Sequence, residues 1–177
     1  ECARALMEAH PAVFFQVLRD CGALTVIFPE VDALFGVPQP PAHHPEIDAG
    51  IHTLMALQQS ARINAELPTR FAVLCHDLGK PVTTAVIDGR IRSPGHDQAG
   101  VPISETFLKR IGCFDSIVQP ILPLVREHMV HIGMPVAARP IRRLALRLQP
   151  SNIEQWGRVI EADASGRPPH PPSSPAA

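Results

Sequence analysis

Residues 71–80, FAVLCHDLGK, place a histidine, an aspartate and a lysine in one of the most apolar segments of the chain. The apolar side chains of this segment recur at the i, i+3, i+4, i+7 spacing of a helix: Phe71, Leu74, Cys75 and Leu78. Gly79 follows them as a helix stop. An ionised carboxylate in such surroundings is costly unless it is paired or bound to a cation. The segment therefore predicts a buried helix that ends at Gly79 and carries polar groups with partners.

Several explanations for His76 and Asp77 stay open from this segment alone. Asp77 could face water at the helix end, or it could form a salt bridge with Lys80 on the next turn. His76 could be a core histidine bound to a backbone carbonyl. The functional alternative is a cation site, because neutral imidazole and carboxylate suit Mn, Fe, Ni, Zn or Mg. Neighbouring helical residues lie about 100° apart, so both side chains can converge on one point beside the helix end.

The rest of the chain predicts an all-α fold with enough residues for one domain with a core, since 45% of its 177 residues are hydrophobic. Twenty prolines separate the helical patterns. We expect helices at 3–7, 11–24, 48–63, 68–79, 97–112, 115–132, 139–148 and 151–166. Asp88-Gly89 between β-branched residues predicts a small hairpin.

Local signals set the expected ends of these helices. Asp48 and Asp97 are predicted N-caps, and Ser151 with Glu154 has the spacing of a capping box. Pro120 and Pro123 are expected to bend or break the front of their helix.

Composition argues against several classes of protein. The formal net charge is −1, so no overall field attracts nucleic acid or an anionic membrane. Aromatic residues make up 5% of the chain and tyrosine is absent, which argues against reading single strands by base stacking. No apolar run approaches the ~20 residues that span a bilayer. The four cysteines form no CxxC pair, which is typical of reduced thiols in a cytosolic protein. We expect a cytoplasmic protein without a membrane partner.

A Pro-rich stretch suggests how the chain is divided. We expect a helical front segment at 1–37, a link at 38–46, a main helical domain at 47–167 and a disordered or extended Pro/Ser tail at 168–177. The chain begins without Met and already in a helical pattern, so we expect it to be a piece of a longer protein.

Further candidate ligands lie on or beside apolar helical faces. With His76 and Asp77 they make four imidazoles and two carboxylates that could meet in one core, the additional residues being His52, His96, His128 and Asp163. His131, one turn from His128, is an alternative ligand, and Glu127 and Glu161 are less favoured substitutes. The remaining histidines are expected at the surface: His10, His43, His44 and His170.

The order His52 … His76-Asp77 … Asp163 resembles the H…HD…D motif of the HD superfamily of metal-dependent phosphohydrolases, and HDLGK is the typical form of its central motif. His96 and His128 resemble the additional ligands of the two-metal subset. Longer stretches, among them HPEIDAGIHTLMAL, REHMVH and EADASGR, resemble bacterial CCA-adding tRNA nucleotidyltransferases with a C-terminal HD domain. The resemblance runs from about residue 3 to residue 167.

The resemblance implies an HD-domain helical bundle that binds one or two divalent ions, with Mg, Mn and Ni as the first candidates. One ion would be held by His52, His76, Asp77 and Asp163, and a second would share Asp77 and add His96 and His128. Two ions about 4 Å apart can clamp a phosphate and activate water. Alternatively, His96 and His128 bind a phosphate directly. Lys80 and Arg167 are candidates for contacting substrate phosphate, and Asp77 and Lys80 for catalysis.

The implied activities are those of a 2′,3′-cyclic phosphodiesterase, 2′-nucleotidase and phosphatase, acting on nucleotide or RNA-end phosphates in tRNA 3′-end processing and repair. Nucleotide addition would need the N-terminal nucleotidyltransferase domain of the parent, whose Gly-Ser and two-Asp motifs are not in this sequence. The implied partners are tRNA and that domain.

The alternative function is a non-catalytic module with a structural metal that binds tRNA or forms a homodimer. Four arginines on one face of the helix at 139–148 are either a solvated surface or a stripe for an RNA backbone: Arg139, Arg142, Arg143 and Arg147.

Overall fold

The computed structural model describes residues 1–40, 48–130 and 138–167. These residues form an all-α fold with one two-stranded sheet, as the sequence predicts. In chain order the elements are α1 (Cys2–Met7), α2 (Pro11–Asp20), α3 (Leu24–Ile27), α4 (Pro29–Asp32), α5 (Ala49–Arg62), α6 (Leu67–Cys75), α7 (Lys80–Thr83), β1 (Ala85–Ile87), β2 (Arg90–Arg92), α8 (His96–Arg110), α9 (Asp115–Glu127), α10 (Ala138–Arg147) and α11 (Ile153–Ser165). His43, His44, His131 and His170, and most of the predicted link and tail, lie outside the described ranges.

One hydrophobic core joins the front helices to the rest of the described chain. Helices α5, α6, α9 and α11 pack around its centre, and α8 packs against α9. Leu6 of α1 and Phe15 of α2 are fully buried in the same core. Arg70 of α6 is also buried, and its Nη1 donates to the carbonyl oxygens of Leu6 (2.6 Å) and Glu8 (3.0 Å) at the end of α1. The domain boundary predicted after residue 37 therefore stays a prediction, because the packing of the described helices shows no gap there.

Helix α5 begins where its cap predicts. Asp48 Oδ1 accepts a hydrogen bond from the backbone N–H of Ile51 at 3.0 Å, as expected of an N-cap. The helix buries the face that carries His52, Ala56 and Leu57. Ile51 is 42% exposed, so it lies off this buried face.

Helix α6 ends earlier than the sequence suggested. The helix stops at Cys75, and residues 76–79 form a turn before α7 begins. Gly79 has an ordinary φ of −81°, so it is not a left-handed helix stop. A Cβ at this position would lie 2.0 Å from the backbone oxygen of His96. Gly79 is needed because the turn packs directly against the first residue of α8.

The hairpin is confirmed, and its turn has the expected chemistry. β1 pairs antiparallel with β2, with Val86 opposite Ile91. Asp88 and Gly89 connect them with φ values of 52° and 70°. Positive φ at both turn residues is the requirement of the two-residue turn that this dipeptide favours.

Two predicted caps are wrong, that of α8 by two residues and that of α11 by one, and one predicted break is absent. α8 begins at His96 after a left-handed Gly95, so Asp97 lies within the first turn. The capping box of α11 is formed by Asn152 and Gln155 rather than by Ser151 and Glu154. Pro120 and Pro123 were predicted to bend or break α9, and the break is wrong, because this helix runs through both prolines. Several side chains of α9 are buried in the core. Their burial offsets the loss of the backbone hydrogen bonds that the two prolines cannot donate.

Among the described helices, none combines the length and the apolar character that a membrane crossing requires.

Candidate metal centre

The structure brings the six predicted ligands together in two adjacent groups. His52, His76 and Asp163 form what we call the first group, and Asp77, His96 and His128 form the second group. Within each group the candidate ligand atoms all lie within 4.8 Å of one another. The ring centroids of His76 and His128 are 5.3 Å apart, so the two groups are neighbours.

The ligands come from five different parts of the fold. His52 lies in α5 and Asp163 in α11, while His76 and Asp77 lie in the turn that follows α6. The remaining two occupy helix ends: His96 is the first residue of α8, and His128 directly follows α9. The early end of α6 therefore places the His-Asp pair in a turn, where the sequence predicted a helix.

Three of the histidines are oriented by the same hydrogen bond. The Nδ1 atoms of His76, His96 and His128 lie 2.7, 2.8 and 2.6 Å from the carbonyl oxygen of the residue three positions earlier. A carbonyl can only accept, so each Nδ1 carries the proton. For His76 and His128 these carbonyls belong to the last helical turn, where backbone oxygens lack partners within the helix. In its neutral form each of these rings would therefore present a bare Nε2 to the centre.

The second group brings two of these bare nitrogens face to face. His96 Nε2 and His128 Nε2 are 3.2 Å apart, and neither can donate to the other in its neutral form. Burial, with repulsion from His76, lowers the pKa of His128 to about 4. A shared cation would satisfy both lone pairs, and this is the feature of the site that most favours a metal.

Asp77 lies between the two groups. Its Oδ2 is 3.2 Å from His76 Nε2, and its Oδ1 is 3.4 Å from His96 Nε2. His76 Nε2 is buried and has no hydrogen-bond partner in the part of the chain that the structure describes. Burial alone would raise the pKa of Asp77, but His76 and Lys80 outweigh burial and hold this pKa well below its usual value. The carboxylate therefore stays ionised and available to a cation.

The first group contains a direct hydrogen bond. His52 Nε2 lies 2.9 Å from Asp163 Oδ1, although 111 positions separate the two residues in the chain. Burial would raise the pKa of Asp163, but the hydrogen bond and charge of His52 keep it below its usual value. The close approach of their helices requires Gly166, because a Cβ there would lie 2.7 Å from the backbone nitrogen of Ala56 in α5.

Lys80 is buried beside Asp77, and its neighbour Gln39 could not be identified from the sequence. Lys80 Nζ lies 2.7 Å from Asp77 Oδ2, an ion pair rather than an aligned hydrogen bond. The same Nζ donates to Gln39 Oε1. Gln39 is 2% exposed, yet in the sequence it is a polar residue within a Pro-rich stretch. Only the tertiary contact reveals its place in the site.

The other candidate ligands, Glu127 and Glu161, belong to neither group among the described residues. Glu127 Oε2 accepts from Arg147 Nε at 2.9 Å, so this carboxylate is engaged outside the centre. Arg167 is half-buried, and its Nε has no hydrogen-bond partner among the described residues. Arg139, Arg142 and Arg143 are exposed on α10.

The donor set fits a divalent metal ion. It consists of imidazole nitrogens and ionised carboxylates, which suit Mg, Mn, Ni, Fe and Zn to differing degrees. Carbonyl oxygens fix three of the rings, as second-shell partners do at metal sites.

Comparison with known proteins agrees with this geometry. A model of the HD domain family matches residues 49–160, more than half of the chain. Two proteins named "Multifunctional CCA protein", from Acinetobacter baumannii strains AYE and ACICU, are each 44% identical to it over 172 residues. The match covers 94% of this chain and 41% of each relative, so the chain spans about two fifths of their length. The chain belongs to the HD domain family.

Proposed function

We propose that this chain is a metal-dependent phosphohydrolase domain that acts on nucleotide or RNA-end phosphates. Its proposed substrates are 2′,3′-cyclic phosphodiesters, 2′-nucleotides and related phosphomonoesters. The observation that carries the proposal is the pair of adjacent, largely buried ligand groups with Asp77 between them. A divalent ion bound there would polarise a phosphoryl oxygen and lower the pKa of a coordinated water.

The surrounding residues would orient the substrate and keep the ligands in their binding form. With its pKa lowered to about 4, His128 is neutral near pH 7 and offers a lone pair rather than a proton. Asp77 would serve both groups through its two oxygens. Lys80, fixed beside Asp77, would contact a phosphate oxygen as a compact positive charge. Arg167 is a second, weaker candidate for the same contact.

The biological setting is proposed from the relatives. Because they are named multifunctional CCA proteins, we infer that the domain works in tRNA 3′-end processing or repair, beside a nucleotidyltransferase domain in a longer parent chain. A cytoplasmic location and a role for Mg, Mn or Ni belong to the same proposal.

Hydrolysis assays on the purified chain test this function. Chelator-treated protein should hydrolyse 2′,3′-cyclic AMP only after addition of Mg²⁺, Mn²⁺ or Ni²⁺. Asp77→Asn should lower kcat/KM at least about a hundredfold, because loss even of a second-shell partner costs about 10–100-fold at metal sites. His10→Ala, at an exposed position on the cap of α2, should retain wild-type activity. Full activity in Asp77→Asn, or activity that chelation leaves unchanged, would contradict the proposal.

A second candidate function, binding of an RNA backbone, is favoured by the exposed face of α10. Arg139, Arg142 and Arg143 have no acidic partner in the described part of the chain. Arg147 differs from them, because it pairs with Glu127. Arginines of this kind contact phosphates and position a backbone without reading its sequence.

The salt dependence of tRNA binding separates this surface from a merely solvated one. The triple variant Arg139→Gln, Arg142→Gln, Arg143→Gln should weaken binding and reduce the slope of log K against log salt by roughly two to three. The control Arg4→Gln, at an exposed position in α1, should leave the slope unchanged. An unchanged slope in the triple variant would show that α10 does not contact tRNA.

A further inference from the structure

The ammonium group of Lys80 has a donor to spare. Lys80 is 7% exposed, and an ammonium carries three N–H donors. In the described part of the chain its Nζ contacts two acceptors, Asp77 Oδ2 and Gln39 Oε1. The hydrogen bond to Gln39 directs one donor, and the ion pair with Asp77 restricts how the ammonium group can turn about that bond. Together, the two contacts would leave Lys80 prepared to donate to one further oxygen.

Gln39 is itself held firmly in place. The backbone N–H of Gly36 donates to Asp48 Oδ2 at 2.6 Å, and Ala49 N donates to the Val37 oxygen at 3.0 Å. Pro38 and Asp48 form an isolated β-bridge. Asp48 also caps α5, one turn before His52. The segment that carries Gln39 is therefore attached to the same helix end that positions the first group.

Close packing adds a second attachment. The ring of Phe35 lies where a Cβ on Gly50 would be, with Cγ at 2.5 Å from that position. Phe35 thus packs onto the first turn of α5, and Gln39 follows it by four residues. Gln39 is 2% exposed, so its side chain has little freedom to leave Lys80.

We propose that Gln39 is a positioning residue of the hydrolase site, which fixes the Lys80 ammonium so that its third N–H points at a phosphoryl oxygen of the substrate. This inference rests on the proposed phosphohydrolase function. Gln39 makes no contact with the substrate in this scheme and acts only through Lys80. The amide is suited to this task because it supplies an acceptor without adding a charge that would repel a phosphate.

The scheme predicts that Gln39 matters only while Lys80 is present. Gln39→Leu removes the acceptor oxygen and should lower both kcat/KM for 2′,3′-cyclic AMP and affinity for inorganic phosphate about tenfold, since a hydrogen bond to a charged group is lost. In a Lys80→Met background the same substitution should have no further effect on either quantity. Such non-additivity is expected of residues that act as a unit.

The experiment compares five variants loaded with Mn²⁺. They are Gln39→Leu, Gln39→Glu, Lys80→Met, the Gln39→Leu/Lys80→Met double variant, and Gln16→Leu as a matched control at an exposed glutamine of α2. Hydrolysis gives kcat and KM, and calorimetric titration with inorganic phosphate gives an affinity that needs no turnover. Gln39→Glu keeps an acceptor oxygen and should keep kcat within about threefold, whereas its added charge should weaken the affinity for inorganic phosphate. Melting curves report whether each variant folds.

The outcomes separate this inference from the proposed function. If the wild-type protein hydrolyses nothing but phosphate binding follows the predicted pattern, the phosphohydrolase function is wrong and the role of Gln39 stands. The role of Gln39 is overturned if Gln39→Leu matches the wild type in both assays, or if its loss persists in the Lys80→Met background. Absence of any phosphate binding by the folded, Mn²⁺-loaded wild type would overturn it as well.

Discussion

The two ligand groups of the centre are built differently, although each contains one carboxylate and two imidazoles. In the first group, His52 and Asp163 already satisfy each other through a 2.9 Å hydrogen bond, and the Asp163 side chain is 22% exposed. In the second group, the bare Nε2 atoms of His96 and His128 face each other at 3.2 Å, and all three members are buried. A cation would satisfy two facing lone pairs in the second group but only that of His76 Nε2 in the first, so we expect the second group to depend more on a cation.

Each group also depends on one glycine that permits close approach of two backbone segments. Gly79 lets the turn that carries His76 and Asp77 pack against the start of α8. Gly166 lets α11 pack against α5. A side chain at Gly166 would separate elements of the first group alone, whereas one at Gly79 would disturb both groups, because its turn carries His76 as well as Asp77.

Gly79→Ala should have the largest effect on the folded protein. The added Cβ would lie 2.0 Å from a backbone oxygen and 2.7 Å from a backbone nitrogen, and neither can move easily. We expect a loss of about 3 kcal/mol in the free energy of unfolding, at the upper end of the usual cost of overpacking. Thermal melting should show a decrease of about 6–12 °C for a chain of this length.

A matched substitution serves as the control for this prediction. Gly157→Ala, within α11, meets no atom within 4 Å and should stabilise the protein slightly, by about 0.5–1 kcal/mol. Equal melting temperatures for Gly79→Ala and Gly157→Ala would contradict the close packing of the turn against α8.

Removal of the metal should have the next largest effect. For protein loaded with Mn²⁺ at about 100 times its Kd, chelation should lower the free energy of unfolding by about 2.7 kcal/mol, because the ion binds only the folded state. The melting temperature should then fall by about 5–11 °C. His128→Ala removes one of the facing lone pairs. At the same Mn²⁺ concentration it should show a smaller decrease than the wild type, whereas His10→Ala should show the same decrease. Equal decreases in the wild type and His128→Ala would contradict the stronger dependence of the second group on a cation.

Gly166→Ala should have the smallest of these effects and should act on the first group. The added Cβ would lie 2.7 Å from Ala56 N, a less severe overlap than at Gly79. We expect a loss of about 1.5 kcal/mol, within the usual range for overpacking, read from chemical denaturation. The hydrogen bond between His52 and Asp163 should lengthen, which a crystal structure of the variant would show. An unchanged structure and stability would mean that the close packing of α5 and α11 is not needed.

Local sequence predicted those parts of the fold that local interactions determine. The hairpin at Asp88-Gly89 and the Asp48 cap were predicted from two to four neighbouring residues, and both are confirmed. The end of α6 was predicted wrongly because Gly79 suggested a helix stop, whereas its role is a contact with α8. The capping box of α11 was misplaced by one residue because Ser151 and Asn152 are both good caps, and Ser151 instead donates to the Pro120 oxygen at 2.6 Å.

The residues of the candidate site could not all be predicted from local sequence patterns. The six ligands were proposed from their apolar surroundings and from a family resemblance, and the structure brings all six together. Gln39 was missed because its contact with Lys80 joins residues 41 positions apart, and nothing in the Pro-rich stretch indicates it. A carbonyl partner for His76 was one of the explanations left open by the sequence, but those of His96 and His128 were not predicted, since they depend on where α8 begins and α9 ends.

Titration of the chelator-treated chain with Mn²⁺ or Ni²⁺, followed by calorimetry and elemental analysis, tests the central claim most directly. We expect the wild-type protein to bind one or two ions, and Asp77→Asn to weaken their binding at least about tenfold. His10→Ala should bind as the wild type does. A folded wild-type chain that binds neither ion, or an Asp77→Asn variant with unchanged affinity and stoichiometry, would contradict the existence of the metal centre.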